Sequence, residues 1–458
     1  MKQILLKNVD AVVTCDDNDR LLRNCDILIE DNYIKLIDKN IEAPEAEVIS
    51  MKGKFVYPGL INTHHHLLQA FTRNIPAVQN SELFDWLIYL YEVWKKVNPE
   101  FMYYSSTVAM GEFIKYGGTT LFDQHFAFPR SSSKEIIDRQ FDAAADLGLR
   151  FYAGRSAFTR GKDQGGLPPM ELIETTSQVL DDTARLVEKY HDDSKYSMRQ
   201  VAFAACSPFS VDTEVMKESA KAARQLGVRL HTHLCETIDE ENYCLEVYGN
   251  RPIAWAEKCD WLGPDVWFAH AVHLTDDEIR LLGKTGTGVA HNPVSNMKLS
   301  SGIAKVPLML KENVPVGLAV DGNGSNDASN LLADLRVCFL LHRLNSSKDA
   351  PTAYDTLKLA TRGSARVLGR NDIGHLTEGM AADLFAIDID QLEFVGATLD
   401  PKAMLGTVGH AQPVWMTMIN GKVVYKDGEL KGIDEVQVRK EAQDYVAGVY
   451  SDIDTGEE

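Results

Sequence analysis

The chain has 458 residues, 45% apolar and 25% charged, which is the balance of a folded protein with room for one large domain and a smaller one. Lys plus Arg total 47 against 66 Asp plus Glu, and a net charge of −19 repels phosphate backbones, so a nucleic-acid partner is not expected. No apolar run reaches membrane-spanning length, Lys7, Asn8 and Asp10 interrupt any signal-like core, and seven cysteines without a CxxC pair read as reduced thiols, so a cytoplasmic protein is expected.

Short strand-like runs open the chain at QILLKNVDAVVT (3–14), DILIEDNYIKL (26–36) and AEVISM (46–51), separated by Asp/Asn turns. The same texture returns in ADLFAID (382–388), PVWMTMING (413–421) and KVVYKDG (422–428). A small β-sandwich domain built from both chain ends, 1–57 and 371–434, is therefore expected beside a larger α/β domain over 58–370. Residues 436–449 look helical, so 435–458 is read as a C-terminal helix followed by a fraying SDIDTGEE tail.

The central region alternates apolar strands with helical stretches such as 99–116 and 212–226. Strand candidates are KFVYPGLINTH (54–64), TTLFDQH (119–125), RFYAGRSAF (150–158) and VAFAACSP (201–208), then RLHTHLCE (229–236), VWFAHAV (266–272), GTGVAHNP (286–293) and VPVGLAVDG (314–322). Eight such units predict an α/β fold of the (β/α)8 TIM-barrel type. A doubly wound sheet would want a GxGxxG turn after its first strand, and none is present.

The ends of these strands carry the chemistry. In a barrel all the C-terminal strand ends meet at one mouth. Strand one ends in His64 and His66, strand five in His233 and Glu236, strand six near His270, strand seven at His291 and strand eight at Asp321. His64 and His66 are two apart, so both point the same way, while His65 points opposite. With His233 and Asp321 they make a donor set for one divalent metal ion, Zn2+ being expected and Fe2+ the alternative. Such an ion generates hydroxide near neutral pH, and Asp321 can also accept the water proton. Glu236, three residues past His233, suits a proton shuttle, and His270 suits polarising the attacked group. His231 is expected to pack or to support the donors.

PGLINTHHH, HLCE, AH at 269–270, HNPVSNMKLSSGIA (291–304) and DGNGSNDASN (321–330) together resemble the amidohydrolase superfamily. The branch is that of cytosine deaminases, guanine deaminases and chlorohydrolases. The resemblance implies His64, His66, His233 and Asp321 as metal ligands, Glu236 as the shuttling acid and His270 as a catalytic histidine. Binuclear relatives carry a Lys at strand four; VAFAACSP has none, which implies one metal. The unrelated deaminase fold with P-C-x-x-C is excluded by the lack of any CxxC.

HHHLLQAFTRN (64–74), SELFDWL (81–87), CSPFSV (206–211) and WLGPDVWFAHAV (261–272) narrow the resemblance to 8-oxoguanine deaminases and hydroxydechloroatrazine ethylaminohydrolases. A small heterocyclic substrate is implied, 8-oxoguanine to urate plus ammonia being favoured. Ethylamine loss from hydroxydechloroatrazine, or deamination of guanine or isoxanthopterin, are the alternatives. A catalytically silent binding module would be a different class, but such relatives usually lose ligands and this chain keeps them. Candidate substrate-binding residues are Gln69, Trp86, His125 and Arg155. Where many relatives read HCPxSN this chain has HNPVSN, which bears on fine specificity. A homo-oligomer is expected.

Overall fold

The structure is a computed structural model that describes residues 2–451 and 453–456; of the SDIDTGEE tail, Asp452, Glu457 and Glu458 lie outside the described residues. The N-terminal strands are β1 (Gln3–Val13), β2 (Leu21–Glu30), β3 (Tyr33–Asp38), β4 (Glu47–Ser50) and β5 (Lys54–Pro58). Next come β6 (Leu60–Asn62), β7 (Gly118–His125), β8 (Arg150–Arg155), β9 (Arg199–Ala204), β10 (Leu230–Leu234), β11 (Val266–His270), β12 (Gly288–His291) and β13 (Val316–Leu318). The C-terminal strands are β14 (Leu384–Asp388), β15 (Met416–Ile419), β16 (Lys422–Lys426) and β17 (Glu429–Leu430).

β6 to β13 form one eight-stranded sheet in sequential order, each pair parallel, with helices between most of them. This is the predicted (β/α)8 barrel. Across the seam between β13 and β6, Asp321 N–H donates to His64 O at 3.2 Å and Val320 N–H to Asn62 Oδ1 at 3.1 Å. Large and small side chains alternate in the interior: Phe122, Tyr152 and Trp267 fill the space that Ala202, Ala290 and Ala319 leave.

The remaining strands form a second sheet with its own core of Ile4, Leu6, Val12, Ile27, Ile29, Val56, Leu384 and Met418. Both chain ends build it, because β14 pairs antiparallel with β5 while β1 pairs parallel with β5. One expectation needs correction here. Residues 54–64, read as a single barrel strand, are two strands in two sheets. The break is at Gly59, whose N–H donates to Asp383 O just before β14 of the second sheet, while Leu60 N–H donates to Gly117 O just before β7 of the barrel. Thr119 packs so close that a Cβ at Gly59 would lie 2.2 Å from it.

The helices follow local chemistry. Asn98 caps Pro99–Lys115 by accepting from Glu100 N–H and Phe101 N–H, with Pro99 opening the helix. Asp212 caps Thr213–Leu226, and Gly227 ends it at φ 71°. The predicted C-terminal helix runs Glu435–Val449. Among the described residues no helix is long and apolar enough to cross a membrane.

Candidate active site and metal centre

The barrel mouth brings His64, His66, His233 and Asp321 together, and their proton positions follow from their neighbours. His66 Nδ1 faces Gln124 O at 2.8 Å and His233 Nδ1 faces Cys206 O at 2.5 Å. Carbonyl oxygens only accept, so both Nδ1 atoms carry hydrogen and both Nε2 atoms carry lone pairs. His64 reaches the same state through one more residue. His231 Nδ1 donates to Trp267 O at 3.0 Å, so its Nε2 accepts from His64 Nδ1 at 2.8 Å. His64 Nε2 is then bare, buried and without a hydrogen-bond partner. His231 thus sets the tautomer of His64 from the interior layer, its ring stacked 4.6 Å from Trp267.

Three imidazole lone pairs and one carboxylate now point at one place. His66 Nε2 and His233 Nε2 are 3.0 Å apart, and Asp321 Oδ1 is 3.3 Å from Nε2 of both His64 and His66. Two nitrogens without hydrogens repel at that distance unless a cation lies between them. Donors about 2.1 Å from a tetrahedral ion would be about 3.4 Å apart, so the spacing fits a first-row divalent metal. Burial pushes His64 and His233 well below the ordinary histidine range, which keeps them neutral and able to ligate.

The proton-handling groups stand beside the donors. Register places Leu234 opposite His270, so β10 and β11 deliver His233, Glu236 and His270 to one rim. His270 Nε2 is 3.7 Å from Glu236 Oε2 and 3.8 Å from Asp321 Oδ2. Its Nδ1 is held by Asn296 Oδ1 at 2.8 Å. Burial pushes Glu236 up to about 7, and Asp321 adds to the rise while His270 opposes it. Burial would lower His270, but the carboxylates of Glu236 and Asp321 outweigh it and raise it. Four non-glycine residues here have left-handed backbones: Cys235 at φ 57°, His270 at 70°, Ala271 at 49° and Asp321 at 67°. Such strain is held only where the surroundings over-determine it. Glu240 supplies part of that hold, accepting from Cys235 N–H at 2.6 Å and Glu236 N–H at 3.0 Å.

These groups open into a cavity roofed by Leu83, Trp86, Leu87 and Tyr91 of the helix Leu83–Trp94. Phe126, Phe158, Cys206, Ser207, Phe209 and Leu299 complete most of the wall. Among the described residues lining it, none is Lys or Arg. Gln69 and Trp86, two of the four candidate substrate-binding residues, line this cavity. Gln69 Oε1 accepts from Gly324 N–H at 3.1 Å, and a Cβ at Gly322 would sit 2.0 Å from it, which explains the glycines of DGNG.

His125 and Arg155 lie elsewhere. Phe122 and Tyr152 fill the barrel, so strand alternation turns residues three positions later toward the helices. His125 bonds Ala127 O at 2.8 Å. Arg155 is buried between Glu174, at 2.6 and 2.8 Å, and Asp182, at 3.0 Å, over the ring of Phe128. Neither lines the cavity. His65, opposite in parity to its neighbours, bonds Ser329 Oγ at 2.9 Å. The candidate residues did not include Cys206, Ser207 and Ser325, which line the cavity, or Ser295, which donates to Asp321 Oδ2; the NPVSN stretch held the signal for Ser295.

The amidohydrolase family model matches residues 55–424, most of the chain. The chain belongs to the amidohydrolase family. This amidohydrolase is 40% identical over 457 residues to hydroxydechloroatrazine ethylaminohydrolase of Pseudomonas sp. (strain ADP), covering 96% of this chain and 95% of that one. It is 42% identical over 391 residues to 8-oxoguanine deaminase of Pseudomonas aeruginosa, covering 85% and 86%. Among solved structures it is similar to atrazine chlorohydrolase from Arthrobacter aurescens TC1 complexed with zinc, with a TM-score of 0.92 and 31% identity over 97% of this chain and all of that one. The amidohydrolase is thus an enzyme of the hydrolase and deaminase type acting on C–N bonds.

Proposed function

We propose that this amidohydrolase deaminates 8-oxoguanine to urate and ammonia, using one divalent cation, Zn2+ first and Fe2+ as the alternative. The carrying observation is the trio of Glu236, His270 and Asp321 within 4 Å steps of one another beside the His64, His66 and His233 lone pairs. A cation held by those three histidines and Asp321 would supply Lewis acidity, bringing the ionisation of water down to neutral pH.

The chain's own groups account for the rest. Asp321 accepts the proton of the attacking water. The oxygen adds to the ring carbon bearing the exocyclic amine, and Glu236 protonates the neighbouring ring nitrogen. His270, held through Nδ1 by Asn296, presents Nε2 to the developing oxygen charge. Collapse to the carbonyl breaks the C–N bond, and a second proton through Glu236 lets the amine leave as neutral ammonia. A buried carboxyl pushed up to about 7 suits that duty, because it both gains and gives a proton near neutrality. Trp86 would cover the flat ring and Gln69 would meet its polar edge. The cavity's lack of Lys and Arg favours a substrate without an anionic substituent.

A second reading, ethylamine release from hydroxydechloroatrazine, is favoured by the 96% coverage of the match to that enzyme and by the apolar wall, which suits alkyl groups. An ammonia-release screen over 8-oxoguanine, guanine, isoxanthopterin and cytosine, with a parallel ethylamine readout for hydroxydechloroatrazine, decides between them. Turnover of none of these by metal-loaded enzyme overturns the proposal.

A further inference from the structure

Away from the cavity, three more side chains with affinity for metal ions meet. Ala290 of β12 packs in the barrel interior, so alternation turns the next residue, His291, outward toward the helix Leu331–Ser346. That helix offers Cys338 and His342, four residues apart and therefore on one face. His291 and His342 meet Nε2 to Nε2 at 3.1 Å, close to the 3.0 Å between His66 and His233. One donor atom from each of His291, Cys338 and His342 lies within 4.8 Å of the other two. All three residues are 0% exposed. A proton shared between two neutral rings would satisfy one nitrogen pair and leave the thiol out; a cation engages all three.

We propose that His291, Cys338 and His342 form a second, buried site for a thiophilic cation, Zn2+ or Cu+, separate from the catalytic centre. Imidazole and thiolate donors suit both ions. Binding forms two metal–nitrogen bonds and one metal–sulfur bond, and the thiol proton leaves to solvent. The ion ties the seventh barrel strand to the helix that follows the eighth. This is the weaker of the two centres. Each Nδ1 at the first has an acceptor, whereas neither His291 Nδ1 nor His342 Nδ1 has a partner. Missing partners of that kind cost about 10–100-fold in metal affinity, so this ion leaves first.

The test uses the full chain loaded with Co2+, read by metal analysis and by thiolate-to-Co2+ charge-transfer absorption in the near-UV. No sulfur is among the converging donors of the first centre, so the band reports the second. Two equivalents of metal and the band are expected in the wild-type enzyme. Cys338→Ser falls to one equivalent without the band and keeps turnover, whereas Cys206→Ser keeps the band. Graded chelation removes the band before activity. Metal analysis of protein expressed with added zinc, and separately with copper, identifies the ion. One equivalent and no band in the wild-type enzyme overturns the proposal whether or not any variant folds, as does a band that survives Cys338→Ser.

Discussion

Ser295 Oγ donates to Asp321 Oδ2 at 2.6 Å. Ser325 Oγ donates to the same oxygen at 3.0 Å, and Gly322 N–H reaches Oδ1 at 2.7 Å. Together they hold the carboxylate with Oδ1 turned toward His64 and His66. Ser295→Ala is expected to lower kcat/KM by about 10–100-fold, the usual cost of losing a group that orients a metal ligand. Steady-state kinetics beside thermal melting checks this, and a wild-type rate would mean that Ser325 suffices alone.

Glu236→Gln keeps the shape of the side chain and removes its titration. Turnover should fall about 10²–10⁴-fold while metal content stays at the wild-type level, because Glu236 is not among the converging donors. Metal analysis and kcat on the same preparation read both quantities. Substantial residual turnover would remove the shuttle role.

Chelation should abolish activity and also destabilise the protein. The 3.0 Å contact between His66 and His233 sets two bare lone pairs against each other when no cation separates them. An ion present at about 1,000 times its Kd stabilises by about 4 kcal/mol, so Zn2+ should raise the melting temperature of stripped enzyme and restore turnover together. Recovery of stability without turnover would separate the two centres.

Arg155→Ala tests a residue that the tertiary structure places outside the cavity. Glu174 and Asp182 would lose their buried partner, at a cost of about 3–5 kcal/mol. The expected result is a lower unfolding midpoint in urea with an unchanged KM. A raised KM at wild-type stability would return Arg155 to the substrate.

Acid sensitivity should trace in part to Asp138. Burial would raise its carboxyl, but bonds from Arg185, Lys189 and Tyr190 outweigh it and hold it at about 2. The folded pKa lies below the unfolded one, so this stability is present above the ordinary carboxylate range and is lost as pH falls toward 2. Lys189 is half exposed and Arg185 a third, which discounts the effect to about 1–2 kcal/mol. Asp138→Asn should show that deficit at neutral pH and match the wild-type protein in urea melts near the acid end.

Much of the fold was legible because the barrel strands are buried on both faces and read as continuous apolar runs between amphipathic helices. The donor residues were legible for a related reason. His64, His66, His233 and Asp321 sit where apolar runs stop, and polar residues at those points have one mouth to face. The switch of sheets at Gly59 was not legible, since its cause is contact with Thr119 and Asp383, distant in the chain.

By itself, then, the sequence determined the barrel, its second sheet from both chain ends, and which residue types reach the mouth. These depend on periodicity and order along the chain. Only the tertiary structure decided direction and protonation. It turned His125 and Arg155 toward the helices because Phe122 and Tyr152 occupy the interior. It made His231 the residue that bares His64 Nε2, through Trp267 O. Which parity of a strand faces the interior, and which way each hydrogen bond runs, is set by what lies across the barrel, and no local stretch of sequence carries that information.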